Sequence, residues 1–140
     1  GNRWASAAGK GLWLSILLRA SIAPAEAPRI TAWAAQTIAS TVNEEFSLGA
    51  TVKPPNDVYV GIRKVAGVLL ELRAVPGEAH VSILGIGINV NQQLADFPEE
   101  LHARAGSIAM ALGDNVSRHE FAVAILRALD RTYSLAAANS

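Results

Sequence analysis

Five apolar side chains, Ile30, Ala34, Ile38, Val42 and Phe46, recur every four residues. That spacing commits the stretch to an amphipathic helix. It constrains the fold more than any other feature, because a helix with one apolar stripe needs a second layer to bury it. Pro28 stands just before the helix, where proline is tolerated, and Gly49 is placed to cap its end. On both sides the period changes. Upstream, Leu12 to Arg19 (LWLSILLR) reads as a strand buried on both faces. Downstream, a short strand from Ala50 to Lys53 stops at Pro54 and Pro55. The runs 58–60 and 64–72 form a hairpin near Gly61, Pro76-Gly77 is a turn, and 79–90 is a strand interrupted by Gly85 and Gly87.

Helical signals return at 98–104 and 107–112, followed by a Gly113-Asp114-Asn115 turn. Ser117 with Glu120 three residues later is a capping box, opening a last helix with Phe121, Ile125, Leu129 and Tyr133 on one face. The order predicts an α+β fold, a mixed, mostly antiparallel sheet with helices packed on it, in a single domain over 1–140.

Composition excludes several classes. Hydrophobic residues make up 51% and charged residues 17% of the 140, too apolar for a disordered chain. The formal net charge is zero, so no dedicated nucleic-acid surface is indicated, although twelve Lys and Arg remain to be placed. Without cysteine there is no disulfide, no Cys-ligated metal and no thiol nucleophile. No apolar run reaches the roughly 18 residues of a membrane span. His80, His102 and His119 match no zinc spacing, so no metal site is expected.

Four places could carry chemistry. Lys53 ends a strand before two prolines, which send the chain out of the sheet stiffly extended. Lys53 there is either an ordinary solvated lysine or a fixed cation aimed at an anion. Gly85 and Gly87 lie on one face of a strand with Asn89. They either admit a tightly packed neighbour or leave a flat slot for a ligand. Arg63 and Lys64 follow a hairpin turn, as a solvated edge or a phosphate contact. Trp4, beside Arg3, is either plugged into the core or part of a glycine-containing flap.

Four segments in order, WASAAGKGLWLS (4–15), KPPND (53–57), RKVAGVLLE (63–71) and GIGINVN (85–91), resemble the catalytic domain of biotin–protein ligases; FPEEL (97–101) also fits. The resemblance covers essentially the whole chain and implies a class II synthetase-like ligase core. It implies a reaction in which biotin and ATP give biotinyl-AMP, and the acyl group passes to a lysine of a biotin carrier domain of a carboxylase. It gives Lys53 the catalytic role, beside the biotin carboxylate and bridging phosphate. It assigns Gly85, Gly87, Val58 and Trp4 to biotin, and Asn89, Lys64 and Arg3 to the adenylate. Magnesium is expected with ATP, the setting is cytoplasmic, and a homodimer is a further expectation.

Two departures carry weight. The family has Trp where this chain has Pro54, which removes aromatic packing beside the lysine. The family's arginine- and glycine-rich loop precedes the tryptophan, and this chain opens at what resembles the loop's last glycine. The expectation is therefore an N-terminally truncated catalytic domain, without the C-terminal SH3-like domain or a DNA-binding domain, and impaired as it stands. The alternatives are a lipoate-type ligase, or a non-catalytic binding module derived from the ligase.

Overall fold

The computed structural model describes residues 7–19, 22–77 and 81–138. Five strands, β1 (Gly11–Leu18), β2 (Thr51–Lys53), β3 (Asp57–Val60), β4 (Arg63–Arg73) and β5 (Val81–Asn89), form one sheet in the order β1-β5-β4-β3-β2. Every neighbouring pair is antiparallel, so the expected mixed sheet is antiparallel throughout the described residues. Three α-helices follow the sequence signals: α1 (Ala27–Phe46), the short α2 (Ile108–Leu112) and α3 (Arg118–Ala138). The helical signal at 98–104 resolves into a single 3-10 turn, Glu99–Leu101.

Helix α1 buries the predicted stripe through Ile30, Ala34, Ile38 and Val42, with Phe46 partly buried. Each large apolar side chain so buried contributes about 1.5–3 kcal/mol. Pro28 lies inside the first turn rather than before it. Gly49 is not the cap. Ser47 takes the left-handed conformation, φ 54°, and its N–H bonds the Asn43 carbonyl. Asn43 Oδ1 accepts the Ala50 N–H at 2.6 Å and its Nδ2 donates to the Ala50 carbonyl at 3.0 Å. One asparagine thus steers the chain from α1 into β2.

Helix α3 runs antiparallel to α1. Phe46 stacks on Phe121 near one end of the pair, with ring centroids 5.5 Å apart, and Trp33 meets Tyr133 near the other, also at 5.5 Å. Between the helices and the sheet lies the core: Leu84, Ile86 and Ile88 of β5, Ala66 and Val68 of β4, Val58 of β3, and Ile125 and Leu129 of α3.

β1 corrects another expectation. Among the described residues it is an edge strand, with only one of its faces covered. Leu12 and Leu18 are buried, whereas Trp13 is 42% and Leu17 56% exposed. Helices cover one side of the sheet, so the alternate residues of an apolar run face outward. Nor does the chain leave stiffly after Lys53. It turns at residues 54–56, through a cis Pro54–Pro55 bond, and returns so that Asp57 pairs with Lys53.

Candidate active site on the open face of the sheet

Strand register brings scattered residues into one row across the open face. Lys53 pairs with Asp57, Asp57 with Gly67, Gly67 with Gly87, and Gly87 with Trp13. At about 4.8 Å per strand the row spans about 19 Å. It has charge at one end, two buried glycines in the middle and an indole at the other end. In the next row, Leu69–Gly85–Ser15, Gly85 again lacks a side chain. A Cβ built on Gly85 would meet only the Leu69 carbonyl oxygen, at 3.5 Å. At Gly85, then, no tightly packed neighbour stands among the described residues.

At the charged end, the Lys53 ammonium lies 5.1 Å from the centre of the Tyr59 ring. Tyr59 reaches it because Thr51 separates them by one register step on the same face. Lys64, opposite Tyr59, pairs with Asp57 Oδ1 at 2.9 Å. Two lysines and one aspartate leave this end with an excess of one positive charge. An anion at the edge of the glycine floor would be attracted to it.

The far end of the floor is walled by the segment after β5. Asn89, 7% exposed, donates through Nδ2 to the Gly106 carbonyl at 3.1 Å, which turns its Oδ1 towards the Gln92 amide nitrogen at 3.2 Å. These two bonds use one N–H and one lone pair of the Asn89 amide. The Ser107 hydroxyl bonds the Gln92 carbonyl at 2.6 Å and also caps α2 at Met110. Asn56 anchors the turn after Lys53, its backbone carbonyl accepting the Val68 N–H at 3.0 Å.

Several expected residues sit differently. Val58 is not in the wall of the slot. It pairs with Ala66, has 0% exposure and projects into the helical core, one residue out of phase with Asp57. Arg63 is neither a solvated edge nor a phosphate contact in this arrangement. Its Nη1 donates to the His102 and Ala105 carbonyls at 2.6 and 2.8 Å. Gly106 admits its stem, since a Cβ there would lie 2.8 Å from Arg63 Cβ. Arg3 and Trp4 lie outside the described residues. Conversely, sequence reasoning missed Gly67, Asp57 and Trp13 as members of the row. Gly67 and Asp57 stand in the quoted segments, but only the register reveals that they adjoin Gly87.

A separate groove of about 800 Å³ lies between α1 and α3, lined by Arg29, Trp33, Thr37, Thr41, Arg131 and Thr132. It contains none of the residues singled out for chemistry. No cluster of three His, Asp or Glu side chains able to hold a metal occurs among the described residues. No helix among them is long and apolar enough to cross a membrane.

Residues 1–89 match the model of the biotin/lipoate A/B protein ligase family. Over 130 residues the chain is 35% identical to the bifunctional ligase/repressor BirA of Bacillus subtilis, covering 93% of this chain and 40% of that protein. Among solved structures, the biotin protein ligase of Aquifex aeolicus in complex with biotin and ATP superposes with a TM-score of 0.74 at 31% identity, over 87% of this chain and 49% of that one. A bipartite lipoate protein ligase of Thermoplasma acidophilum shares the fold alone, with a TM-score of 0.66 at 14% identity over 90% of this chain and 52% of that one. The chain thus spans two-fifths to about half of the proteins it resembles.

Proposed function

The chain belongs to the biotin/lipoate A/B protein ligase family, and from that premise we propose that it is the core of a biotin–protein ligase. In this reading ATP activates biotin as biotinyl-AMP, with release of pyrophosphate. The acyl group then passes to a lysine of a biotin carrier domain, such as that of a carboxylase. The observation that carries the reading is the row Lys53–Asp57–Gly67–Gly87–Trp13, a cation at the end of a row with two glycines at its centre. Biotin chemistry is favoured over lipoate because, over the aligned residues, the biotin ligase is 31% identical to this chain and the lipoate ligase 14%.

The division of roles follows from charge and shape. Joining a carboxylate to the α-phosphate crowds negative charge, and a preorganised cation at that junction lowers the barrier. Lys53 has that role, and the Tyr59 ring limits the directions its ammonium can take. Lys64, held by Asp57, adds positive potential on the phosphate side. Gly85 and Gly87 form the floor under the biotin rings, and Trp13 closes its far edge. Asn89 is assigned to the adenylate through its side-chain amide. Trp4 and Arg3 are assigned to the flap and to the adenylate. Magnesium enters as part of the Mg–ATP substrate. A cytoplasmic setting supplies ATP and the carrier, and a homodimer remains part of the proposal.

Biotin-dependent ATP–pyrophosphate exchange tests the reading. Lys53→Gln is expected to lower the exchange rate about 10²–10³-fold, the scale of removing one preorganised electrostatic contact, with little change in stability because the side chain is exposed. Calorimetry with biotin and lipoate separates the two ligands. Tighter binding of lipoate would overturn the assignment.

A further inference from the structure

The entry into β1 is held from three directions. The Lys10 ammonium meets Asp96 Oδ2 at 2.7 Å, and the same oxygen accepts the Gln93 N–H at 2.8 Å. The Lys10 carbonyl accepts the Asn91 N–H at 2.8 Å. The Gly11 carbonyl accepts Arg118 Nη1 at 3.1 Å. These ties come from the 3-10 turn Leu94–Asp96, the segment just after β5 and the start of α3. Asn91 is itself fixed, its side-chain amide bonding both the N–H and the carbonyl of Val116 at 2.8 Å. A strand end needs its backbone groups satisfied; the ion pair adds a tie beyond that need.

What the clamp holds is the edge of the glycine floor. Gly11 and Trp13 point to the same side of β1, and the indole lies back across Gly11. A Cβ at Gly11 would stand 2.7 Å from Trp13 Cζ2 and 3.0 Å from both Gln92 Nε2 and the Ile88 carbonyl oxygen. The indole thus packs against the backbone at Gly11, beside the point where residues 10 and 11 are fixed.

We propose that Asp96 is a positioning residue of the candidate site: through the Lys10 ammonium it sets where Gly11 and Trp13 stand at the end of the glycine floor. Asp96 touches no ligand in this scheme. The side chain lies on a turn more than eighty residues along the chain from Lys10, and the sequence pattern alone gives no reason to connect them. Only the ligand arm of the test below rests on the biotin–protein ligase reading.

The test uses the full chain and the indole N–H resonances in a ¹H–¹⁵N correlation spectrum, with Trp13→Phe assigning the Trp13 peak. Asp96→Asn and Lys10→Met are each expected to shift that peak. The Trp33 peak, from an indole bonded to Thr132 at 2.8 Å in the helical layer, should stay in place. The double variant Lys10→Asp with Asp96→Lys should return the Trp13 peak towards its original position. Arg73→Gln breaks an exposed pair of 3.2 Å to Glu71 and should move neither. In parallel, each single variant is expected to raise the biotin dissociation constant about two- to fivefold, the scale of a partly exposed ion pair, and the double variant to restore it. An unmoved Trp13 peak in both single variants overturns the proposal. So does a Trp33 shift as large as that of Trp13, or no return in the double variant. If the unaltered chain binds no biotin, the functional reading fails, and the indole shifts still decide the role of Asp96.

Discussion

Residues one position apart in the same strands meet opposite surroundings on the two faces of this sheet. On the helical face Val58, Leu84 and Ile88 reach 0% exposure, pressed against Ile38, Val42 and Ile125. On the open face their neighbours are Asp57, Gly85, Gly87 and Asn89, with Trp13, Leu17 and Leu69 exposed beside them. The helical face excludes water with branched aliphatic side chains. The open face sets glycines in the middle of its strands, with the Lys53–Asp57–Lys64 group at one side and the exposed Glu71–Arg73 pair farther along β4. Strand alternation lets a single stretch such as β5 serve both, so stability and ligand chemistry can be altered separately.

The sharpest way to break that separation is to exchange the roles of the faces. Ile38→Ala removes a side chain with 0% exposure from the centre of the helical layer, and should cost about 2–5 kcal/mol. Leu69→Ala, at a site 56% exposed on the open face, should stay within about 0.5 kcal/mol. Urea midpoints of the two variants decide it. Comparable losses would mean that the open face is packed against something in solution, and that the floor is not a slot.

Two glycines on the open face divide that face further. Gly11→Ala places a methyl 2.7 Å from the Trp13 ring and 3.0 Å from the backbone oxygen of Ile88. The ring can give way but the carbonyl cannot, so overpacking of about 1–3 kcal/mol is expected. At Gly85 an added methyl finds ordinary contact at 3.5 Å, so Gly85→Ala should keep wild-type stability within about 0.5 kcal/mol. It should nevertheless weaken biotin binding, because the methyl stands in the floor. If calorimetry gives Gly85→Ala the affinity of the unaltered chain, Gly85 does not border the ligand.

The helices were readable because their signal is local. Ile30 to Phe46 and Phe121 to Tyr133 repeat within one element, and both stripes are buried on the expected face. β1 was misread because Trp13 and Leu17 are as apolar as Leu12 and Leu18. An apolar run records what its side chains are, not which face has a partner. Lys53, Gly85, Gly87 and Asn89 could be singled out from glycine spacing and strand ends, but joining them needed register. Val58 shows the cost: a single step of phase moves a side chain from the open face to the core. Arg63 was beyond sequence reasoning because its acceptors are carbonyls 39 and 42 residues away, and any residue type supplies a carbonyl.

The smallest expected effect concerns the corner where the two faces meet, and it depends on pH. The Lys10 ammonium, first, and the Gln93 N–H, second, hold the Asp96 carboxyl below its ordinary range. Because this lowering exists only in the folded chain, the unfolded chain takes up the proton first as the solution is acidified. The contribution of Asp96 is therefore fully present above the ordinary carboxylate range, and it is lost as pH falls through the lowered folded value. Its carboxylate remains 21% exposed and its partner 40% exposed, so salt and water screen the pair. Asp96→Asn should be slightly less stable than the unaltered chain at neutral pH, and the two urea midpoints should converge in acid. Raising the ionic strength at neutral pH should narrow the same gap. A gap that persists unchanged into acid would mean that Asp96 acts through its shape and its bond to Gln93, with the charge on Lys10 playing no part at this corner.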